Sequence, residues 1–140
     1  MASFLFNSFP EYLVKGDMDF NTDTFMMALI ADSYTPDATD IVWAEVEEQE
    51  VVGDGYVSGG NEVTSMTVSH PSAAVTKVTG TIAAWTAATF TARYAVMYNS
   101  TSSPTRVAFL FDFGENKSVT AGTFQLTANA SGLFTIQQSA

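Results

Sequence analysis

The sequence predicts an all-β fold: a single-domain antiparallel β-sandwich, jelly-roll-like or immunoglobulin-like, with one or two short helical turns. Three observations predict it. Two β-prone apolar runs, 92–98 and 106–114, flank Asn99 to Thr105, a segment of turn and loop residues only, which reads as an antiparallel hairpin. Further short β-prone runs recur between turn clusters along the chain, as in sandwiches and barrels. Finally, 18 threonines and 13 serines supply much of the polar surface, while only 14% of residues are charged, against roughly a quarter in ordinary domains.

In chain order, Phe4, Leu5, Phe6 and Phe9 make an aromatic-rich opening, residues 1–9, too short to be a core element. Two readings are open. The segment folds back onto the domain formed by residues 10–140, or it is an apolar arm that docks on a neighbouring subunit, since untied termini are usually polar and disordered. Ser8-Phe9-Pro10-Glu11 fits a capping box, with Ser8 as cap and Glu11 reaching back. Gly16 then ends a short helix over 10–15. Asp17 to Asn21 alternates polar and apolar, as a half-buried strand does. Asp17, Asp19 and Asn21 also mimic calcium-ligand spacing, but the loop's glycine falls on Thr22 and its closing glutamate on Ala28, so the motif fails.

Residues 24–31 read as a buried strand, ended by the turn cluster 32–37. Asp40 is placed to cap a helical turn through Ile41, Trp43 and Val46, and Glu45, Glu47, Glu48 and Glu50 follow as a solvated acidic face that suits a basic partner surface. The glycines at 53, 55, 59 and 60 match no phosphate-cradling pattern and read as turns or bulges. Strands are expected over 63–69, 75–81, 82–85, 89–98 and 106–113, and a terminal hairpin pairs 119–128 with 133–137 around 129–132. The central hairpin is apolar at nearly every position, so both its faces are expected to be covered at least in part.

At 140 residues the chain is one domain by length, large enough to bury a core without staples. It has no cysteine, which excludes disulfides, thiol catalysis and cysteine-based metal sites. Five basic against fifteen acidic side chains give a formal charge of −10. Binding to nucleic acid or to anionic membrane surfaces is therefore not expected, because both rest on Lys and Arg. The longest wholly apolar run, Phe25 to Ala31, is far short of the ~20 residues of a helical span. The start lacks the basic segment of a signal peptide, so export by a signal of its own is not expected.

The chemistry-bearing inventory is thin. His70 is the sole histidine and reads as a surface loop residue in Ser69-His70-Pro71-Ser72, which leaves no histidine-based zinc site. No G-x-S-x-G occurs. No catalytic, metal-ligating or cofactor-binding residue is assigned, and an enzyme is not expected. Trp43, Trp85, Tyr56, Tyr94 and Tyr98 are candidates for a sugar-binding platform, although aromatics at this frequency are more often core or interface. Glycosylation sequons begin at Asn99, Asn116 and Asn129, and read as chance matches in a Ser/Thr-rich chain.

A series of short signatures runs along nearly the whole chain: 6–9 and 13–16; Asp23-Thr24, Ala28-Leu29 and 33–36; Val42-Trp43, Glu50-Val51, Gly55-Tyr56 and Gly59-Gly60; then 88–96, 112–114 and 122–124. In these the sequence resembles a family of small virion structural proteins of tailed bacteriophages. Within it the size and strand content are most similar to capsid decoration (cement) proteins. The resemblance implies a subunit on the outside of the capsid, made in the host bacterial cytoplasm, that bridges neighbouring major capsid protein subunits and stabilises the shell. It implies self-association, as a homotrimer, and no cofactor. Phe4, Leu5, Phe6 and Phe9 are the expected partner contacts. The alternatives are a neck- or tail-associated subunit, and a host-surface carbohydrate-binding module using Trp43 or Trp85.

Overall fold

A computed structural model describes residues 3–128 and 132–137. Among these, seven strands form one antiparallel sheet: β1 (Phe4–Leu5), β2 (Phe25–Ile30), β3 (Asn61–Ser72), β4 (Val75–Ile82), β5 (Trp85–Asn99), β6 (Arg106–Phe124) and β7 (Phe134–Gln137). Their order is β1-β6-β5-β2-β3-β4-β7. One helix, α1 (Phe9–Lys15), and two 3-10 turns, Trp43–Glu45 and Glu47–Gln49, complete the described elements. The all-β, single-domain expectation holds. Its two layers are the halves of one sheet that curls over itself, since Phe134 on β7 packs against Phe109 on β6 with ring centroids 5.4 Å apart.

The β5–β6 hairpin is the spine, paired from Trp85↔Phe124 to Asn99↔Arg106. With β2 beside it, it is covered on both faces, as its near-continuous apolar runs predict. The period-2 alternation of a strand sorts the side chains. Phe25, Met27 and Leu29 of β2, with Ala95 and Met97 of β5, face the interior of the curl. Ala28, Ile30, Tyr94, Val96 and Tyr98 face the other way, under the segment that carries Tyr34, Trp43 and Val46. A register shift beside Met97 and Tyr98 lets neighbouring Ala108 and Phe109 both join the inner cluster. Inside the curl Phe9 lies edge-on to Phe20, Phe109 and Phe134, at 5.9, 5.8 and 5.6 Å. Such ring pairs are worth about 0.5–1.5 kcal/mol each beyond burial. One glycine lets a loop close onto the spine: Gly60 has φ +79°, and a Cβ there would lie 2.1 Å from the Met27 carbonyl oxygen.

Several local expectations are corrected. α1 ends at Gly16 in the left-handed conformation as expected, but the capping box does not form: the Ser8 side chain makes no cap bond. Glu11 instead pairs with Lys15 one turn on, at 2.6 Å, so an i,i+4 ion pair wins the side chain. The alternation over 17–21 marks burial without a strand. Met18 and Phe20 insert into the core from a turn that Asp19 organises by accepting the Asn21 N–H. Asp40 accepts a hydrogen bond from Tyr34 and caps nothing, while Glu45 accepts the N–H groups of Ile41 and Val42.

Farther along, 82–85 is the junction between β4 and β5, and His70 lies within β3. The expected terminal hairpin is replaced: β6 runs on to Phe124, and β7 pairs with β4 from Val75↔Gln137 to Val78↔Phe134. That pairing delivers the Phe134 ring to Phe9, Phe20 and Phe109, a burial that a local hairpin with 119–128 would compete with. Residues 129–131, which hold most of the expected turn and the third sequon, lie outside the described residues.

Candidate functional site

The opening segment is drawn into the domain. Phe4 and Leu5 pair with Leu110 and Phe109, and the Phe6 N–H continues the contact to the Ala108 carbonyl at 3.0 Å. Phe6 and Phe9 are fully buried, one in each core cluster, and have no surface to offer a partner in this conformation. Phe4 is half-buried against Phe6, and Leu5 is 44% exposed. Of the four expected contact residues, therefore, Leu5 and Phe4 reach the surface.

β1 and β7 are the two ends of the sheet. A shallow cleft of about 290 Å³ lies where they approach, bounded by Phe4 and Leu5 on one side and Leu133 and Phe134 on the other. Its walls are apolar apart from Ser3, whose hydroxyl accepts the Asp112 N–H at 2.9 Å. The outer side of β1 has no strand partner among the described residues.

Many polar side chains close the fold, among them Glu50, which was expected on a solvated acidic face and is instead half-buried. Glu50 is the largest such hub: its carboxylate accepts the Tyr56 hydroxyl at 2.6 Å, the Gly59 N–H at 2.7 Å and the Ser58 hydroxyl at 3.1 Å. The Tyr56 oxygen in turn accepts the Leu29 N–H at 2.9 Å, and Tyr98 donates to the Gly59 carbonyl at 2.7 Å. Burial, and then the bond to Glu50, push the Tyr56 hydroxyl far above its ordinary value. Burial, with the charges of Glu50 and Glu47, pushes Tyr98 up to about 12. At the far end of β2, Asp23 accepts both the Asp19 N–H and the Asn99 amide, and Asn99 is wholly buried as it orders Thr101 and Ser102.

The two arginines are also committed. Arg93 donates to Asp112 at 3.1 Å, and the Gly114 N–H followed by that guanidinium hold the Asp112 carboxyl below its usual range. Arg106 stacks on Tyr12 with its guanidinium carbon 3.7 Å from the ring centre. Among the described residues no group of three or more His, Cys, Asp or Glu side chains is placed to share a metal ion.

The aromatic platform does not assemble. Trp43 stacks on Tyr98, with centroids 4.2 Å apart at 11°, and both are buried; Trp85 and Tyr94 are buried too, and Tyr56 is half-buried beside Trp85. These rings are core, so neither indole is presented to a sugar. His70 is exposed near the β3–β4 turn, with Nδ1 2.9 Å from the Val75 carbonyl oxygen. The sequon asparagine Asn116 is exposed and donates to Asp32, whereas Asn99 is inaccessible.

Two surface features were missed by the residue-by-residue reading. Thirteen of the fifteen acidic side chains lie between Glu11 and Glu62; from Val63 onward only Asp112 and Glu115 remain, against Lys77, Arg93, Arg106 and Lys117. Counting charge by segment would have found this. The second is the outer edge of β3. It pairs with β2 only near Asn61 and Glu62, so the rest of the strand overhangs into solvent with no partner on that side among the described residues. No sequence signal marks an overhang, which depends on the neighbour being shorter. Comparison of the chain with protein-family models, with curated proteins and with solved structures returned no match.

Proposed function

We propose that the protein is a structural subunit of a tailed-phage particle that binds the outside of the capsid and bridges neighbouring major capsid protein subunits. The observation that carries this reading is the open β1 edge beside an apolar cleft, built from Phe4 and Leu5 of the apolar opening segment expected to make the partner contacts. An extended segment of a shell subunit adding to β1 gains main-chain hydrogen bonds from the edge and a slot for apolar side chains between Leu5 and Leu133. Contacts of this size are individually weak, and repetition over a symmetric shell supplies the avidity. The acidic exterior favours a shell surface of opposite sign.

The test uses point variants, because removing residues 1–9 would also take Phe6 and Phe9 out of the core. Purified heads lacking this subunit are mixed with the chain, sedimented, and assayed for bound copies. Wild type should co-sediment and raise the temperature at which heads release DNA. Leu5→Asp should bind far less while keeping the wild-type circular dichroism spectrum. Equal binding by both proteins would remove the β1 edge from the account, and no binding by wild type would remove the capsid reading.

A further inference from the structure

We propose that the overhanging edge of β3 is a self-association site, where a second copy of this chain adds its own β3 antiparallel to the first. The available edge is bounded on both sides. Ser65 has φ +52° within a register shift of the β3–β4 ladder, and Pro71 lacks an N–H to donate. Between them lies a short strand edge centred on Val68, with Thr67, Val68 and Ser69 in regular register between this shift and a second one after Ser69. Charged guards against edge pairing are absent between these bounds: Met66, Thr67, Val68, Ser69 and His70 include no lysine and no acid.

Side-chain placement extends the surface inward. Val68 stands opposite Val78, which stands opposite Phe134, and Ile136 is two residues along β7 on the same face. Val68 and Ile136 are each about half exposed, at 52% and 50%. They rim a groove of about 510 Å³ whose floor includes Met18, Phe20 and Phe134. A second β3 laid along the edge continues this apolar strip with its own Met66 and Val68, extending the cover over the rim.

The occupant is identified by charge. In a chain of formal charge −10 two copies repel over most of their surface. The β3–β4 hairpin from Val63 to Ile82 contains no acid and one base, Lys77. Joining copies through it brings few acids to the contact: Asp19 lines the groove beside Val68, and Glu62 stands at the start of β3. A basic partner is drawn to the acidic surface, whereas an identical chain fits the neutral one. Antiparallel pairing of a strand with itself is isologous, so the contact closes a dimer. Centred between Ser65 and Pro71, it sets Val68 opposite Val68 of the second copy, within the Cα separation that a disulfide spans. This two-fold contact is an alternative to the homotrimer that the resemblance implies.

Sedimentation of the isolated chain over the micromolar range tests the proposal apart from any capsid, so its failure leaves the capsid reading standing. Wild type should be a concentration-dependent dimer. Val68→Lys, which sets like charges face to face, should weaken association roughly tenfold or more. Val52→Lys makes the same charge change at a fully exposed position on the acidic segment and should leave the dimer intact. In a chain with no natural cysteine, Val68→Cys should give one oxidised dimer band on a non-reducing gel. A monomer at all concentrations, a trimer, or equal association of the two lysine variants overturns the proposal.

Discussion

The Tyr56 hydroxyl joins two parts of the molecule, donating to Glu50 and accepting from the Leu29 N–H on β2. Tyr56→Phe leaves that backbone N–H unpaired and removes one of the three donors to Glu50, so a loss of about 1–3 kcal/mol is expected in urea unfolding. The same residues set an alkaline limit. Tyr34, Tyr56 and Tyr98 are all raised above the tyrosine value, first by burial. Above pH ~10 the unfolded chain releases these protons while the folded chain keeps them, so the folded state binds more protons and stability falls with rising pH. The unfolding free energy should be level from neutrality to pH ~9 and fall beyond pH ~10, by about 1.4 kcal/mol per pH unit for each tyrosine still protonated in the folded state, and the melting temperature should fall with it. Tyrosinate absorbance from Tyr34 and Tyr56 should appear only with unfolding, and that from Tyr98 not before about pH 12 while the fold holds.

At the scale of elements, the question is whether the opening segment is arm or core. Phe9 is fully buried among three aromatic rings, and Leu5 is not. Phe9→Ala should therefore cost about 3–5 kcal/mol, and Leu5→Ala under about 1 kcal/mol, read from denaturant midpoints. Equal small effects would describe a detached arm. The loop before β3 is pinned at Gly60, where a side chain meets the Met27 carbonyl; Gly114 has a similar φ of +82° with open space around it. Gly60→Ala should cost about 3 kcal/mol or more and Gly114→Ala about 1–2 kcal/mol, from strain alone.

Much of this level was legible in the sequence. The buried strand β2 and the spine hairpin announce themselves as apolar runs, and Gly16 marks the end of α1. What failed were choices between partners for one side chain or strand. Glu11 had Ser8 and Lys15 to choose from, Asp40 had a helix turn and Tyr34, and β7 had β6 and β4. Local spacing proposes such pairs, and distant packing decides them. The candidate surface was half legible: Leu5 and Phe4 were named, while the β3 overhang arises only where β2 ends.

At the scale of the whole molecule, charge is distributed by segment, with acids before Val63 and a neutral hairpin after it. Association through the neutral edge works against long-range repulsion between like-charged copies. Raising ionic strength from about 0.01 to 0.15 M shortens the screening length from about 30 to 8 Å and should tighten the dimer. Contact between the acidic surface and a basic shell should weaken over the same range. The two interfaces thus separate in one salt titration. Quantitative mass spectrometry of gradient-purified particles from the source lysate, counting this chain against the major capsid protein, tests the proposed place on the outside of a phage capsid. A capsid-bound subunit should be found at a regular ratio, with copies on the scale of the shell's own subunits. A handful of copies per particle would place the chain at the neck or tail, and none would contradict the account.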